Sequence, residues 1–140
     1  MGSSGNITVL SGNEGKFLVD AGISKSKEKL KVALEKISPS PLKYVVNTHW
    51  HWDHTDGNEW MHAAGATIVA QKNTLKHLTE TTHVNAWNWT FDPVPKGARP
   101  TLVVNHERTF NLPVPRSRWR ISALVILTVI CGSTSRRRTC

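Results

Sequence analysis

The most informative segment of the chain is a short β-type run that leads directly into a cluster of imidazole and carboxylate side chains. Residues 42–47 (LKYVVN) are rich in the β-branched and aromatic types that favour a strand. The polar side chains that follow it within six residues are His49, His51, Asp53 and His54. Because residues two apart in an extended chain share a face, His49 and His51 are expected to point to the same side. The pattern predicts a buried strand whose end carries a polar loop.

The residue types in this cluster are those that bind divalent metal ions. Zinc takes neutral imidazole nitrogen and carboxylate oxygen at roughly 2.0–2.2 Å, and a second ion close by is usual in two-metal hydrolytic sites. His49 and His51 can form one site, and Asp53 and His54 can form a second. The alternative is a polar surface loop, but three His and one Asp in this register arise by chance in about one of a thousand chains of this length.

Strands alternate with helices along the first part of the chain. Residues 7–10 and 16–20 are β-type runs separated by the turn-forming stretch SGNEG, which predicts a hairpin. Apolar residues then recur at the helical spacing i, i+3, i+4, i+7, namely Leu30, Ala33, Leu34 and Ile37. Ser24 or Ser26 can cap this helix, and Pro39 ends it. Such alternation predicts a layered α/β or α+β fold.

The middle of the chain carries weaker signals. Asn58 is placed to cap a short helix over residues 59–64, and residues 67–70 favour another strand. From 79–100 the periodicity fades, and the tryptophan, proline and glycine residues there predict a long loop of the kind that often lines a site. Residues 101–104 resume the β pattern.

The positive charge is concentrated at one end of the chain. The formal net charge is +8, from 18 Lys and Arg against 10 Asp and Glu. Residues 1–110 contain all ten acids and only two of the arginines, whereas residues 111–140 contain six arginines and no acid. A nucleic-acid interface on the body is therefore not expected.

The apolar stretch 121–131 is too short to span a membrane. Both cysteines lie in the tail and the N-terminus lacks a secretory signal, so a cytoplasmic location is the default expectation.

The segment THWHWDHTDGN resembles the HxHxDH signature of the metallo-β-lactamase superfamily, and the preceding segments FLVDAG and YVVNTH occur in the order which that superfamily shows. The resemblance covers residues 6–110. It implies the N-terminal half of a four-layered αββα sandwich, with one zinc ion bound by His49 and His51 and a second bound by Asp53 and His54. It also implies hydrolysis of an ester, thioester or lactam by a metal-held hydroxide, with Asp53 as the catalytic residue that orients the water.

Other positions follow less directly from this resemblance. Asp20 resembles an acid that supports a metal ligand, and a turn aspartate is the alternative. The superfamily needs two further histidines and a bridging aspartate, and the remaining histidines lack its sequence context. They are expected to be ordinary surface residues: His62, His77, His83 and His106. Four tryptophans are expected either to line a substrate cleft or to fill the core: Trp50, Trp52, Trp87 and Trp89.

The C-terminal segment does not continue the resemblance. Its abrupt change of composition predicts two regions: a partial metallo-β-lactamase-like domain over 1–110, and a basic segment without defined fold over 111–140 that is translated out of frame. Back-translation of 124–140 with permitted codons, read in a shifted frame, gives CHTDGDLWVHFEAADV, which is similar to the region of the superfamily's third zinc-binding histidine. The alternatives are a membrane-associating segment or a nucleic-acid-binding arm.

Two functions are compatible with these patterns. The first is a zinc-dependent hydrolase of small molecules, with two ions in the complete domain, impaired here because only part of the metal site is present. The second is a truncated, non-catalytic fragment with at most weak metal binding. The substrate and the oligomeric state are left open by the sequence.

Overall fold

The N-terminal hairpin forms as the sequence predicts. In the computed structural model of the chain, which describes residues 5–105, 109–111 and 120–122, strands β1 (Thr8–Gly12) and β2 (Gly15–Val19) pair antiparallel. The register joins Gly12 to Gly15, so the two residues between them form a tight turn. The hairpin supplies an edge strand and its neighbour to the main sheet.

Helix α1 (Lys27–Ile37) is the predicted amphipathic helix, with Leu34 buried on its inner face. A 3₁₀ turn over Ser24–Ser26 precedes it. The predicted side-chain cap is wrong, because the hydroxyl of Ser26 makes no capping bond with any described residue. Ser38 leaves the helical conformation with a φ of −165°, as expected for a residue that precedes a proline.

A five-stranded mixed sheet forms the centre of the structure. The elements after α1 are β3 (Leu42–Val46), α2 (Trp52–Thr55), α3 (Asn58–Ala63), β4 (Thr67–Gln71), α4 (Lys72–Thr79), β5 (Thr82–Val84), β6 (Trp89–Phe91), β7 (Leu102–Val104), β8 (Thr109–Asn111) and β9 (Arg120–Ser122). The sheet order is β1-β2-β3-β4-β7, and all the pairings from β2 onward are parallel. The remaining strands form two separate antiparallel pairs, β5 with β6 and β8 with β9.

Side chains that alternate along the strands form a buried cluster on each face of the sheet. Helices α1 and α3 pack against the first cluster, which consists of Leu18, Ala21, Leu34, Val45, Met61, Ala66 and Ile68. The second consists of Phe17, Val46, Val69, Val104 and Phe110. The Phe110 ring lies 5.6 Å from that of Phe17 and 5.3 Å from that of Tyr44. The predicted layered α+β fold is confirmed.

Two predictions for the middle of the chain are wrong. The segment 79–100 is not one long loop, because it contains the β5–β6 hairpin and two 3₁₀ turns. Asn58 begins α3 but does not cap it. Its side chain is fully buried and bonds to Asn47 and to the carbonyl of Ala98, while Gly57 occupies the position before the helix.

Part of the C-terminal segment is ordered into a strand. Arg120–Ser122, inside the region 111–140 for which no fold was expected, forms β9 and pairs with β8. The rest of 112–140, with both cysteines, and His106 lie outside the described residues, so the predictions about them stay predictions. In the described part of the chain, no helix combines the length and the apolar character needed to cross a membrane.

Candidate metal centre

The histidine cluster begins where strand β3 leaves the sheet. The backbone N–H of Asn47 donates to the carbonyl of Val69 at 2.9 Å, and the N–H of Asp20 donates to that of Val46 at 2.8 Å. Three neighbouring strands therefore end at the same level. In open parallel sheets this carboxyl edge is where ligands bind. The chain then turns, and α2 begins at Trp52 and carries the last two residues of the cluster.

The structure brings all four predicted residues together. The ring of His49 lies 4.5 Å from that of His51 and 4.1 Å from that of His54, measured between ring centres. The Oδ2 atom of Asp53 is 3.5 Å from Nε2 of His54. Three imidazoles and a carboxylate thus share one small region at the edge of the sheet.

Asp20 connects this cluster to strand β2. One of its carboxylate oxygens accepts the backbone N–H of Thr48 at 2.8 Å, and the other lies 2.8 Å from Nδ1 of His54. Asp20 is 5% exposed and adopts a positive φ of 66°, which is uncommon for a residue other than glycine. Of the two interpretations from sequence, the contacts match an acid that supports His54, and the conformation is that of a turn.

The hydrogen-bond chain through Thr48 assigns the protons of the imidazoles. A carboxylate only accepts, so the Thr48 hydroxyl donates to Asp20 and is free to accept from Nδ1 of His49, at 3.0 Å. Nε2 of neutral His49 is then an acceptor, and it lies 2.9 Å from Nδ1 of His51. This leaves the Nε2 lone pair of His51 unused. That atom is buried and has no hydrogen-bond partner among the described residues.

Burial lowers the pKa of two of these imidazoles and so favours their neutral form. Desolvation lowers the pKa of His49, and the charges of the neighbouring His54 and His51 lower it further. Desolvation also lowers the pKa of His51, although the carboxylate of Asp53 acts in the opposite direction. A neutral imidazole is the form that binds a metal ion.

A second set of buried polar groups fixes the backbone of the cluster. The side-chain amides of Asn47 and Asn58 bond to each other reciprocally at 2.9 and 3.0 Å, and both residues are fully buried. Asn47 also points its amide at the carbonyl of His54, 3.4 Å away. Sequence reasoning missed this pair, since both asparagines have ordinary local explanations at a strand end and a helix start.

The side chains of the cluster are imidazoles and a carboxylate, which are groups that bind zinc. Nε2 of His51 fits this chemistry, because it is buried and has no hydrogen-bond partner among the described residues. The side chains as they stand form a hydrogen-bonded cluster rather than a coordination shell, because His49 and His51 bond to each other. Accordingly, no group of three His, Cys, Asp or Glu side chains in the described part of the chain is arranged to hold a metal ion. A metal ion would have to replace the bond between the two histidines.

The other described histidines lie outside this cluster. His62 and His83 are exposed, as expected, and bond to the Ala66 carbonyl and the Thr90 hydroxyl. The expectation is wrong for His77, which is half-buried and stacks on Trp50 at 4.8 Å with 22° between the ring planes. Burial lowers the pKa of His77, and the charge of Lys76 adds to that effect.

The four tryptophans for which a cleft or a core position was expected divide between the core and the surface. Trp50 is buried, whereas the other three are more than half exposed: Trp52, Trp87 and Trp89. Both Trp50 and Trp87 place their rings 4.9 Å from the ring of His51. Trp50 therefore belongs to the buried part of the structure, and the prediction that tryptophans line a substrate cleft stays a prediction.

With the fold and the cluster in place, comparison with known proteins assigns the family. A model of the metallo-beta-lactamase superfamily matches residues 1–114, and the chain belongs to that superfamily. A search of curated protein sequences finds no match.

Solved metallo-β-lactamases share the fold of this chain. One from Cronobacter sakazakii with an HARLDQ motif is 21% identical, with a TM-score of 0.59 over 74% of this chain and 41% of its own. MIM-1 from Novosphingobium pentaromativorans is 19% identical, with a TM-score of 0.59 over 76% and 41%. SMB-1, bound to 2-mercaptoethanesulfonate, is 21% identical, with a TM-score of 0.56 over 74% and 42%. The matched part spans about two fifths of each of these structures.

Proposed function

We propose that this chain carries part of the metal-binding site of a zinc-dependent hydrolase that acts on a small molecule with an ester, thioester or lactam bond. The observation that carries the proposal is the buried, unpartnered Nε2 of His51 inside a cluster of three imidazoles and two carboxylates. An unpaired buried polar atom is costly unless a ligand satisfies it. Membership of the metallo-β-lactamase superfamily supports the same conclusion.

The residues of the cluster take separate roles in this proposal. His49 and His51 would bind one zinc ion, and Asp53 with His54 a second. When bound, zinc supplies a Lewis acid and lowers the pKa of a water molecule. Asp53 would also orient that water toward the substrate carbonyl. Asp20 would hold His54 by its Nδ1 atom, so that the Nε2 lone pair faces the metal.

Zinc titration of matched variants tests this proposal. The full chain is freed of metal and titrated with zinc against a chromogenic chelator. We expect His51→Ala to weaken zinc binding by about 100-fold or more and Asp20→Asn by about 10- to 100-fold. His83→Ala, a change to an exposed histidine outside the cluster, is the control and should bind as the original chain does. Equal zinc affinity in the original chain and His51→Ala would contradict the proposal.

A second candidate function is a protein that binds zinc weakly and does not hydrolyse anything. The hydrogen bond between the imidazoles of His49 and His51 favours this second function, since a metal ion must break that hydrogen bond to bind. Turnover separates the two candidates. Zinc-dependent hydrolysis of a chromogenic ester or lactam, lost in His49→Ala, supports the hydrolase, and zinc binding without turnover supports the second candidate.

We also propose that the reading frame changes between residues 1–110 and residues 111–140, so that the second segment is translated out of frame. The superfamily match ends at residue 114, close to the change in composition. The coding DNA provides the test: a single-base insertion or deletion near codons 105–123 must restore an open frame that encodes further superfamily sequence. The charge of this second segment then carries no information about a nucleic-acid or membrane partner.

A further inference from the structure

Trp50 is a buried residue that lies between two candidate metal ligands, His49 and His51, in the chain. Its side chain is 6% exposed. The indole stacks on the ring of His77 at 4.8 Å, with 22° between the planes, and meets the ring of Phe91 edge-on at 5.1 Å. The ring of His51 lies 4.9 Å from it. Trp50 therefore joins the loop that carries the histidine cluster to helix α4 and to strand β6.

His77, which provides the flat contact, is itself held from two directions. Its Nδ1 atom lies 3.1 Å from the Thr82 hydroxyl at the start of β5. The next residue of α4, Leu78, is 3% exposed, and its carbonyl accepts the backbone N–H of Val94 at 3.0 Å. Because the end of α4 is fixed and the imidazole is bonded at one edge, the face of the ring is held against the indole of Trp50.

The imidazole of His51 depends on ring contacts more than the other two imidazoles of the cluster do. Those two bond through Nδ1 to Thr48 and to Asp20. Nδ1 of His51 bonds instead to a neighbouring imidazole, and a metal ion would replace that bond. The ring contacts that remain to His51 are those with Trp50 and Trp87, of which Trp50 is the buried one.

We propose that His77 is a positioning residue for the candidate metal site, because its stack on Trp50 fixes the direction of the His51 imidazole. This inference rests on the proposed function, since it takes His51 as a metal ligand. Metal sites require their ligands to be held within about 0.5 Å and 10–20° of the productive geometry. A residue that supports a ligand without touching the metal typically changes metal affinity by about 10- to 100-fold. His77 acts in this way through Trp50 and is not itself a ligand.

Cobalt titration of matched variants tests the inference, because the visible absorption of bound Co²⁺ depends on the arrangement of its ligands. We expect His77→Ala to weaken Co²⁺ binding about tenfold and to change the absorption spectrum. His77→Phe keeps a flat ring against Trp50 and loses only the bond to Thr82. Its spectrum should match that of the original chain, with a Co²⁺ affinity within about threefold. If His77→Phe binds Co²⁺ as weakly as His77→Ala, the inference is overturned.

Two controls separate positioning from a general loss of stability. His83→Ala removes a bond of the same kind, from Nδ1 to the Thr90 hydroxyl at 2.9 Å, but His83 makes no ring contact within the described residues. Leu34→Ala leaves a cavity in the apolar cluster under α1 and so lowers stability. Both variants should keep the Co²⁺ spectrum of the original chain. A change of spectrum in Leu34→Ala as large as that in His77→Ala overturns the inference.

The remaining outcomes separate this inference from the proposed function. Co²⁺ binding that is lost in His51→Ala but unchanged in His77→Ala overturns only the inference. Failure of the original chain to bind zinc or Co²⁺ overturns both. If His77→Ala does not fold by circular dichroism, His77→Gln replaces it, because glutamine keeps a polar partner for Thr82 but offers no ring to Trp50. Its Co²⁺ affinity and spectrum should then change as expected for His77→Ala.

Discussion

The loop that carries the histidine cluster and the β5–β6 hairpin lie side by side but are held in different ways. Buried hydrogen bonds fix the loop. The carboxylate of Asp20 bonds to Thr48 and His54, and the side-chain amides of Asn47 and Asn58 bond to each other. The hairpin is held by ring contacts and by a few bonds at its base, and its tryptophans are exposed. A change in the loop should therefore affect stability strongly, whereas a change in the exposed part of the hairpin should affect stability little.

The largest effect is expected where the backbone of the loop meets the sheet. A Cβ atom on Gly57 would lie 2.3 Å from the carbonyl oxygen of Ala21. The chain cannot easily separate there, because the backbone N–H of Gly57 donates a hydrogen bond to the carbonyl of Gly22. Gly57→Ala should lower the free energy of unfolding by about 3 kcal/mol, because backbone must move. Chemical denaturation measures the change.

Gly65→Ala is the control for this clash. Gly65 has a positive φ of 97°, yet a Cβ there would meet no atom within 4 Å. Its cost should be about 1 kcal/mol, from the backbone conformation alone. Equal losses in the two variants would show that the close approach of Gly57 to Ala21 has no effect of its own.

The next largest effect is expected from the asparagine pair. Asn58→Leu removes the partner of the Asn47 amide and of the Ala98 carbonyl, and it should cost about 2–3 kcal/mol, since buried polar groups are left unpaired. The exposed hairpin residue Asn85, whose side chain makes no hydrogen bond with the described residues, provides the comparison. If Asn85→Ala is as costly as Asn58→Leu in urea denaturation, the contrast between the two regions is wrong.

A smaller effect is expected from pH. The pKa values of His49 and His51 are lowered by burial below the ordinary value of 6.5, so the unfolded chain binds more protons than the folded chain just below pH 6.5. The contribution of these residues to stability is complete above pH 6.5 and is lost as the pH falls toward their folded pKa values. Denaturation curves for the original chain and for His49→Gln/His51→Gln should therefore diverge above pH 6.5 and converge at lower pH.

The smallest effect on stability is expected from the hairpin itself. Trp87→Ala should lower the free energy of unfolding by less than about 1 kcal/mol, because more than half of the ring is already in solvent. Thermal unfolding followed by circular dichroism measures it. A loss as large as that of Asn58→Leu would mean that the hairpin is part of the structural core.

The sequence predicts those parts of the fold that repeat a simple period. The β1–β2 hairpin, α1, and the strands β3 and β4 appear within one or two residues of their predicted bounds. The metal-type residues could also be found, because they are close together in sequence and converge at one strand end. Whether they bind zinc stays a prediction.

What the sequence does not predict depends on contacts between distant residues. Asn58 has the local signal of a helix cap, but a partner eleven positions earlier draws its side chain into the core. The β5–β6 hairpin lacks an alternating pattern, since its aromatic residues face solvent or pack on a few neighbouring rings instead of a shared core. His77 gives no sign of its stacking on Trp50, which comes from a different part of the chain.

The hydrogen bonds of Asp20 limit when this part of the protein can fold during synthesis. Its hydrogen-bond partners lie 28 and 34 positions later, so during synthesis the carboxylate must wait until Thr48 and His54 have left the ribosome. The amide hydrogen of Thr48, held by that carboxylate, should then exchange with solvent only when the whole sheet opens. We therefore expect the polar edge and the apolar core of this protein to form in the same cooperative event.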